Sequence, residues 1–204
     1  MLWSAFYPEL RIFAGAASEP LLEAKTRQAA IEFFQRTRAW VEWLDPVTSF
    51  DGLVEYDFDI PAGSDVARVE RATVDGEPIV IQSYRDAPHD WSRTDLASQG
   101  LVTRDLKIFR LGNSVAAGLV IQVQVSLTPS RTATGLPDDL FEKYKDDIVH
   151  GALSKLLEIS STTYYQPDVA GRKFAQFEAA IASNAVDAWR GMTANTPRAR
   201  VKFC

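Results

Sequence analysis

The spacing of apolar residues predicts a long helix near the start of the chain. From residue 19 to about residue 43, apolar side chains recur every three, four or seven positions and line one face. Ser18 is placed to cap this helix, Pro20 suits its first turn, and Pro46 closes the segment.

Helical spacing returns after Pro137, with Asp138 and Asp139 in a first turn, where acids favour the helix dipole. Five apolar residues then follow at four-residue steps: Leu140, Tyr144, Ile148, Ala152 and Leu156. Gly151 lies mid-helix, where glycine costs up to about 1 kcal/mol relative to alanine, so close packing is expected there. Asp168 is predicted to cap a last helix, whose stripe includes Phe174, Phe177 and Ile181.

Between residue 47 and about residue 129 the period changes to two, which indicates β-strands. Tyr56, Phe58 and Ile60 alternate with acids, and residues 118–127 alternate in the same way. Asp75-Gly76 is a strong hairpin signal. Short strands separated by turns, with no helix between them, predict an antiparallel sandwich.

These patterns divide the chain into four segments. Residues 1–46 and 134–195 form the two parts of a helical core, residues 47–133 form a β-sandwich insertion, and residues 196–204 form a tail. The predicted fold class is therefore α+β: a small helical bundle formed by both chain ends, with an inserted antiparallel β-sandwich and an extended C-terminal tail.

Composition argues against several classes of protein. The 204 residues are 46% hydrophobic and 24% charged, the net charge is −5 and the pI is about 5.1, which argues against binding nucleic acid through a phosphate-neutralising surface. No apolar stretch approaches the roughly 20 residues of a membrane helix, and residues 1–7 lack the features of a signal peptide. Cys204 is the single cysteine, so no intrachain disulfide is expected and a cytoplasmic origin is favoured.

Few residues suggest catalysis, and we expect no catalytic, cofactor or metal site. His89 has Asp86 and Asp90 nearby as orienting acids, but a polar loop tip explains it as well. His150 is interpreted as a packed or interface residue. The adjacent pairs Asp138-Asp139 and Asp146-Asp147 diverge by about 100° on a helix, so neither pair converges on one ion.

The end of the chain has a basic pattern on an acidic protein. No acid occurs from Ala188 onward, and cations alternate with apolar residues near the terminus. The residues concerned are Arg198, Arg200, Val201, Lys202 and Phe203. In an extended strand one face would be basic and the other apolar, which is suited to docking on an acidic partner.

Both helical ends resemble the head–tail adaptor, or connector, proteins of tailed bacteriophages. The front matches in residues 8–11, 18–22 and 29–40, and the back in residues 136–140, 148–157, Pro167 and 177–181. The middle is similar only in style, at residues 56–61 and 75–78. The chain differs from many relatives in having Ala17 and Phe34 where they have cysteine.

The resemblance implies a structural virion protein of the neck, assembled in the host cytoplasm, and no enzyme. Copies would form a ring on the dodecameric portal protein, contact their neighbours and a downstream tail or stopper protein, and pass DNA through the lumen without sequence-specific contacts. It also implies that the C-terminal segment docks on the portal and that no membrane is involved. The alternatives are another virion protein, such as a tail-completion protein or a carbohydrate-binding fibre module, and a small hydrolase that uses His89.

Overall fold

Helices from both ends of the chain and sheets between them make a mixed α+β fold, which confirms the predicted class. The computed structural model describes residues 1–51, 53, 55–82, 100–111 and 116–190. Its helices are a 3₁₀ turn (Trp3–Phe6), α1 (Tyr7–Phe13), α2 (Glu19–Thr37), α3 (Asp138–Leu157) and α4 (Pro167–Arg190). Its strands are β1 (Val41–Trp43), β2 (Val47–Thr48), β3 (Glu55–Asp57), β4 (Ser64–Val74), β5 (Glu77–Pro78), β6 (Val80–Ile81), β7 (Gly100–Thr103), β8 (Ile108–Leu111) and β9 (Val120–Pro129).

The chain divides into two compact units. The helical unit comprises Met1–Ala39 together with the chain from Gly135 onward, and the β unit is Trp40–Thr134. The sequence placed these divisions at 46/47 and 133/134. The first division falls earlier because residues 41–43 pair with β9 as a strand.

The helical unit is held together by buried aromatic side chains from different helices. The ring of Phe33 on α2 lies 5.1 Å from Tyr144 on α3 and 6.3 Å from Phe177 on α4. Phe6 meets Phe141 edge to face at 4.9 Å, a geometry that aromatic quadrupoles favour. All five residues of the predicted α3 stripe are buried, which confirms that helix and its face.

Close packing at Gly151 is also confirmed, because a methyl group there would lie 2.6 Å from Cε2 of Phe177. Two details of α4 were predicted wrongly. The helix begins at Pro167, so Asp168 lies in its first turn and is not the cap. Phe174 is 46% exposed, since it lies at the margin of the face on which Phe177 and Ile181 are buried.

The prediction that the first long helix continues to about residue 43 is wrong. The helix α2 ends at Thr37 because Arg38 adopts a left-handed conformation, with φ of 53°. Its amide donates to the carbonyl of Phe34 at 3.0 Å, which is a common way for helices to terminate. Ser18 does occupy the N-cap position, although its side chain makes no capping hydrogen bond.

The β unit contains two sheets in its described part. One has the order β1-β9-β4-β5, with β2 also paired to β9, and the other has the order β3-β8-β7-β6. The predicted hairpin is confirmed at the β4–β5 turn, where Asp75 and Gly76 have φ values of 51° and 81°. The pairing of β6 with β7 is parallel, which corrects the expectation of purely antiparallel strands.

Each sheet buries one set of alternating side chains. In β9 the buried set includes Ile121, Val123 and Val125, as its alternating sequence predicts. In the other sheet Phe109 of β8 lies 5.5 Å from Tyr56 and 5.1 Å from Phe58, ring centre to ring centre. These aromatic contacts fix β3 and the residue after it against β8.

Candidate functional site

Several candidate residues from the sequence lie outside the described residues. They include the whole predicted docking segment: Arg198, Arg200, Val201, Lys202 and Phe203. His89, Asp86 and Asp90 also lie outside it, so the prediction of a hydrolase site at His89 stays untested.

His150 is half-buried on α3, one turn after Asp147. Burial lowers the pKa of His150, and the charge of Lys173 lowers it further, while Asp147 opposes both effects. Burial likewise raises the pKa of Asp147, whose Oδ2 accepts a hydrogen bond from Nδ2 of Asn184 at 3.1 Å. Asp147 thus joins α3 to α4 through Asn184, and His150 lies close enough to Lys173 of α4 for that charge to lower its pKa.

The other acidic pair, Asp138-Asp139, lies in the first turn of α3. Asp138 accepts a hydrogen bond from the Met1 amine at 2.5 Å. Across the ranges that the structure describes, no group of three or more His, Cys, Asp or Glu residues is arranged to hold a metal ion. In those same ranges, no helix is both long and apolar enough to cross a membrane.

A cleft with an apolar floor lies between the two sheets of the β unit. Its floor is formed by side chains from both sheets: Leu44, Val47, Phe109, Ile121 and Val123. The enclosed space is about 10 Å³, room for about one water molecule. Small-molecule sites usually enclose about 300–1,000 Å³, so this space is too small for a substrate. Most of the floor side chains, including Phe109 and Ile121, are buried in the β unit.

The cleft runs between edge strands of the two sheets. On one side are β2, which pairs with β9, and the turn before it, and on the other is β3, which pairs with β8. Among the residues with described positions, no further strand pairs with the outer side of β1, β2 or β3. Open edges of this kind carry backbone donors and acceptors that a further strand can use.

Three exposed carboxylates line the same cleft: Asp45, Asp57 and Asp59. None of the three forms a salt bridge with a described residue, whereas the nearby Glu55 is paired with Arg110. The cleft therefore combines a buried apolar floor with an exposed acidic rim. These residues together are called the acidic cleft.

A second surface lies on the outer face of the β1-β9-β4-β5 sheet. Trp43 and Val41 of β1 are 48% and 41% exposed. Trp43 is opposite Gln124, and Gln124 is opposite Arg71, so the three side chains form a row across one face. An exposed tryptophan beside polar side chains is typical of a recognition surface.

A scan of protein-family models finds none that matches the chain, and a search of curated proteins finds no match either. One part of the acidic cleft is indicated by the sequence, in which Tyr56 and Phe58 alternate with Asp57 and Asp59. The sequence did not indicate that β3 lies beside the segment around Asp45. That proximity depends on which strands lie at the edges of the two sheets.

Proposed function

We propose that this protein is a head–tail adaptor of a tailed bacteriophage, a structural virion protein that docks as a ring on the portal and links capsid to tail. The observation that carries the proposal is the chain's division into two units. A helical unit built from both chain ends encloses, in sequence, an inserted β unit. This is the arrangement that the resemblance at both ends of the sequence implies.

The proposal includes a finer fold: a helical bundle that carries a β-sandwich. The bundle is supported by the meeting of α2, α3 and α4 at Phe33, Tyr144 and Phe177. The sandwich is supported by the acidic cleft, whose floor takes residues from both sheets. An adaptor needs no small-molecule chemistry, because it acts by binding other protein subunits through its surface.

The proposed partners are the portal protein, neighbouring copies in a dodecameric ring, and a downstream tail or stopper protein. DNA would pass through the lumen without sequence-specific contact, in keeping with the net charge of −5. The contact with the portal is proposed to involve the C-terminal residues Arg198 to Phe203, with the surface of the helical unit as the alternative.

Electron microscopy of the purified protein mixed with portal rings of the same phage tests the proposal. We expect added density at one end of the portal, with one copy of the protein for each portal subunit. The same mixture with a chain truncated after Thr196 shows whether the tail carries the contact. Unchanged portal rings at saturating protein would contradict the proposed function.

The row of Trp43, Gln124 and Arg71 supports a second candidate, a carbohydrate-binding module of a tail fibre. A tryptophan ring stacks on sugar faces, and the amide and guanidinium groups bond to hydroxyls. A glycan array separates the two functions. Binding that is lost in Trp43→Ala, and retained in Val41→Ala, would favour the carbohydrate module.

A further inference from the structure

We propose that the outer face of strands β1, β9 and β4 binds a glycan that carries a carboxylated pyranose, such as a uronic or sialic acid. Such a ligand would make this face the site of the carbohydrate-binding candidate, on which the proposal rests, whereas the adaptor function does not require it. The face is called the arginine face below and is defined by Trp43, Gln124, Arg71 and Arg68.

Two β-bulges turn both arginines of β4 to the same side of the sheet. Between Val66 and Arg68, β4 advances by two residues while β9 advances by one, and the same shift recurs before Arg71. In a regular strand, residues three positions apart face opposite sides. Because the second bulge adds one residue, Arg68 and Arg71 are both exposed, while Val69 between them is buried on the other side. Bulges commonly re-aim side chains in this way next to functional sites.

The guanidinium groups of Arg68 and Arg71 are placed to bind an anion. Neither forms a salt bridge with a residue that the structure describes, whereas Arg110 of the other sheet is paired with Glu55. A guanidinium presents parallel N–H donors that match the two oxygens of a carboxylate. On a protein with a net charge of −5, two such groups on one face create a local preference for a negative ligand.

The tryptophan and the amide of the arginine face supply the contacts for a sugar ring. Trp43 is 48% exposed and lies opposite Gln124, which lies opposite Arg71. Opposed residues of antiparallel strands have Cβ atoms about 4.5–5.5 Å apart, so those of Trp43 and Arg71 are about 10 Å apart. A pyranose stacked on the indole would place its hydroxyls over the Gln124 amide and its acid group near Arg71. Arg68 lies opposite Ser126, one row further along, within reach of a neighbouring sugar.

The charges around the arginine face favour a compact acid over a strand of nucleic acid. Stacking on tryptophan and contacts to arginine also serve single-stranded nucleic acids, but those ligands need a continuous track of cations along their phosphates. Here the exposed carboxylates of Asp65 and Asp45 lie beyond the two ends of the face, the first before Arg68 on β4 and the second after Trp43 on β1. A polyphosphate would meet both acids, whereas a single carboxylated sugar meets neither.

Matched pairs of oligosaccharides test the role of the acid group. The probes are sialyllactose, digalacturonate and a glucuronate-terminated disaccharide, each compared with its carboxyl-reduced form, in which a hydroxymethyl group replaces the carboxylate. Isothermal titration calorimetry with the full chain should show at least one acidic probe binding about 10-fold or more tightly than its reduced form. This preference should shrink as salt rises from about 50 to 300 mM, because exposed charges are screened.

Variants of the arginine face assign the contacts. The double variant Arg68→Gln, Arg71→Gln should lower the affinity for the acidic form to that of the reduced form, and Arg71→Lys alone should keep part of the preference, since it retains the charge without the fork. Trp43→Ala should weaken both forms about 10-fold or more, because it removes the stacking ring. Arg172→Gln is the matched control, since Arg172 is an exposed arginine of α4 in the helical unit, and it should change neither affinity. Circular dichroism verifies that each variant is folded.

The possible outcomes separate the acidic ligand from the carbohydrate module itself. Equal affinity for acidic and reduced forms would overturn the acidic ligand and leave a neutral-sugar module. No binding of any probe at millimolar concentration, or an equal loss in Arg172→Gln, would overturn the site. Tighter binding of an oligothymidylate than of every sugar would replace the glycan with nucleic acid. None of these measurements involves the portal, so they succeed or fail independently of the microscopy that tests the adaptor function.

Discussion

The absent side chain of Gly151 leaves room for the Phe177 ring between α3 and α4. A methyl group at Gly151 would lie 2.6 Å from Cε2 of Phe177, and both residues are buried. We expect Gly151→Ala to lower the free energy of unfolding by about 1–2 kcal/mol, because overpacking outweighs the gain of up to about 1 kcal/mol in helix propensity. Urea unfolding followed by circular dichroism measures the change.

Gly171 on α4 provides the matched control, since it is exposed and nothing lies within 4 Å of its missing Cβ. Gly171→Ala should raise the free energy of unfolding by about 0.5–1 kcal/mol. Addition of Phe177→Leu to Gly151→Ala should recover part of the loss by relieving the collision. Stabilisation by both alanines would show that packing at Gly151 is looser than the structure indicates.

Asp147 gives the helical unit a dependence on pH with a definite sign. Burial raises its pKa in the folded state, so the folded state holds the proton more tightly than the unfolded state does. The contribution of Asp147 to stability is therefore most favourable below the unfolded pKa of about 3.9. That contribution is lost as the pH rises through the higher folded pKa. Asp147→Asn removes this cost and keeps an oxygen that accepts the hydrogen bond from Asn184.

We expect Asp147→Asn to raise the free energy of unfolding at pH 7 by a few tenths of a kcal/mol, since the carboxylate is only partly buried. At about pH 3 the variant and the natural chain should be equally stable. The exposed neighbour is the control, and Asp146→Asn should change little at either pH. If Asp147→Asn is instead less stable than the natural chain at pH 7, the negative charge of Asp147 stabilises the folded state.

At the scale of elements, the β4–β5 hairpin depends on its two turn residues. Gly76 has a φ of 81° and nothing lies within 4 Å of its missing Cβ, so a substitution there is opposed by the backbone alone. Gly76→Ala should lower the free energy of unfolding by about 1–2 kcal/mol, and Gly76→Asn by less, since asparagine tolerates this conformation. Thermal unfolding measures both, and equal stability of all three chains would contradict the turn geometry.

Elements that are decided by their own side chains could be predicted from the sequence. The helix α3 was predicted from its four-residue stripe, and the hairpin from Asp75-Gly76, because in each the signal lies within a few residues. Residues 41–43 were predicted wrongly, since Trp40 continues the helical spacing while the strand pairing comes from β9, far along the chain. The parallel β6–β7 pair was missed for the same reason.

The candidate site was only partly predictable. Alternation around Tyr56 and Phe58 indicated a strand with an acidic side. It did not indicate that Asp57 and Asp59 share a cleft with Asp45, because that requires two sheets to place their edge strands side by side. The basic and apolar pattern of residues 198–203 was recognised from sequence alone, and these residues lie outside the part of the chain that the structure describes.

At the scale of the whole molecule, the two units have separate cores. The helical unit buries Phe33, Phe177 and their neighbours, while the β unit buries Phe109, Ile121 and theirs. A unit with its own buried apolar core can fold independently if that core offsets the loss of chain entropy. For the helical core, the inserted β unit is then equivalent to a long loop between two helices. The entropic cost of closing a loop depends only weakly on its length.

This reasoning predicts that the helical unit folds without the β unit. Replacement of residues 40–134 by Gly/Ser linkers of about 8–16 residues should leave a chain with strong helical circular dichroism and cooperative urea unfolding. Its denaturant dependence should be smaller than that of the full chain, since less surface is exposed on unfolding. Phe33→Ala in the shortened chain should abolish cooperativity, because Phe33 contacts both Tyr144 and Phe177. A shortened chain without helical signal at any linker length would mean that the helical core requires the β unit to fold.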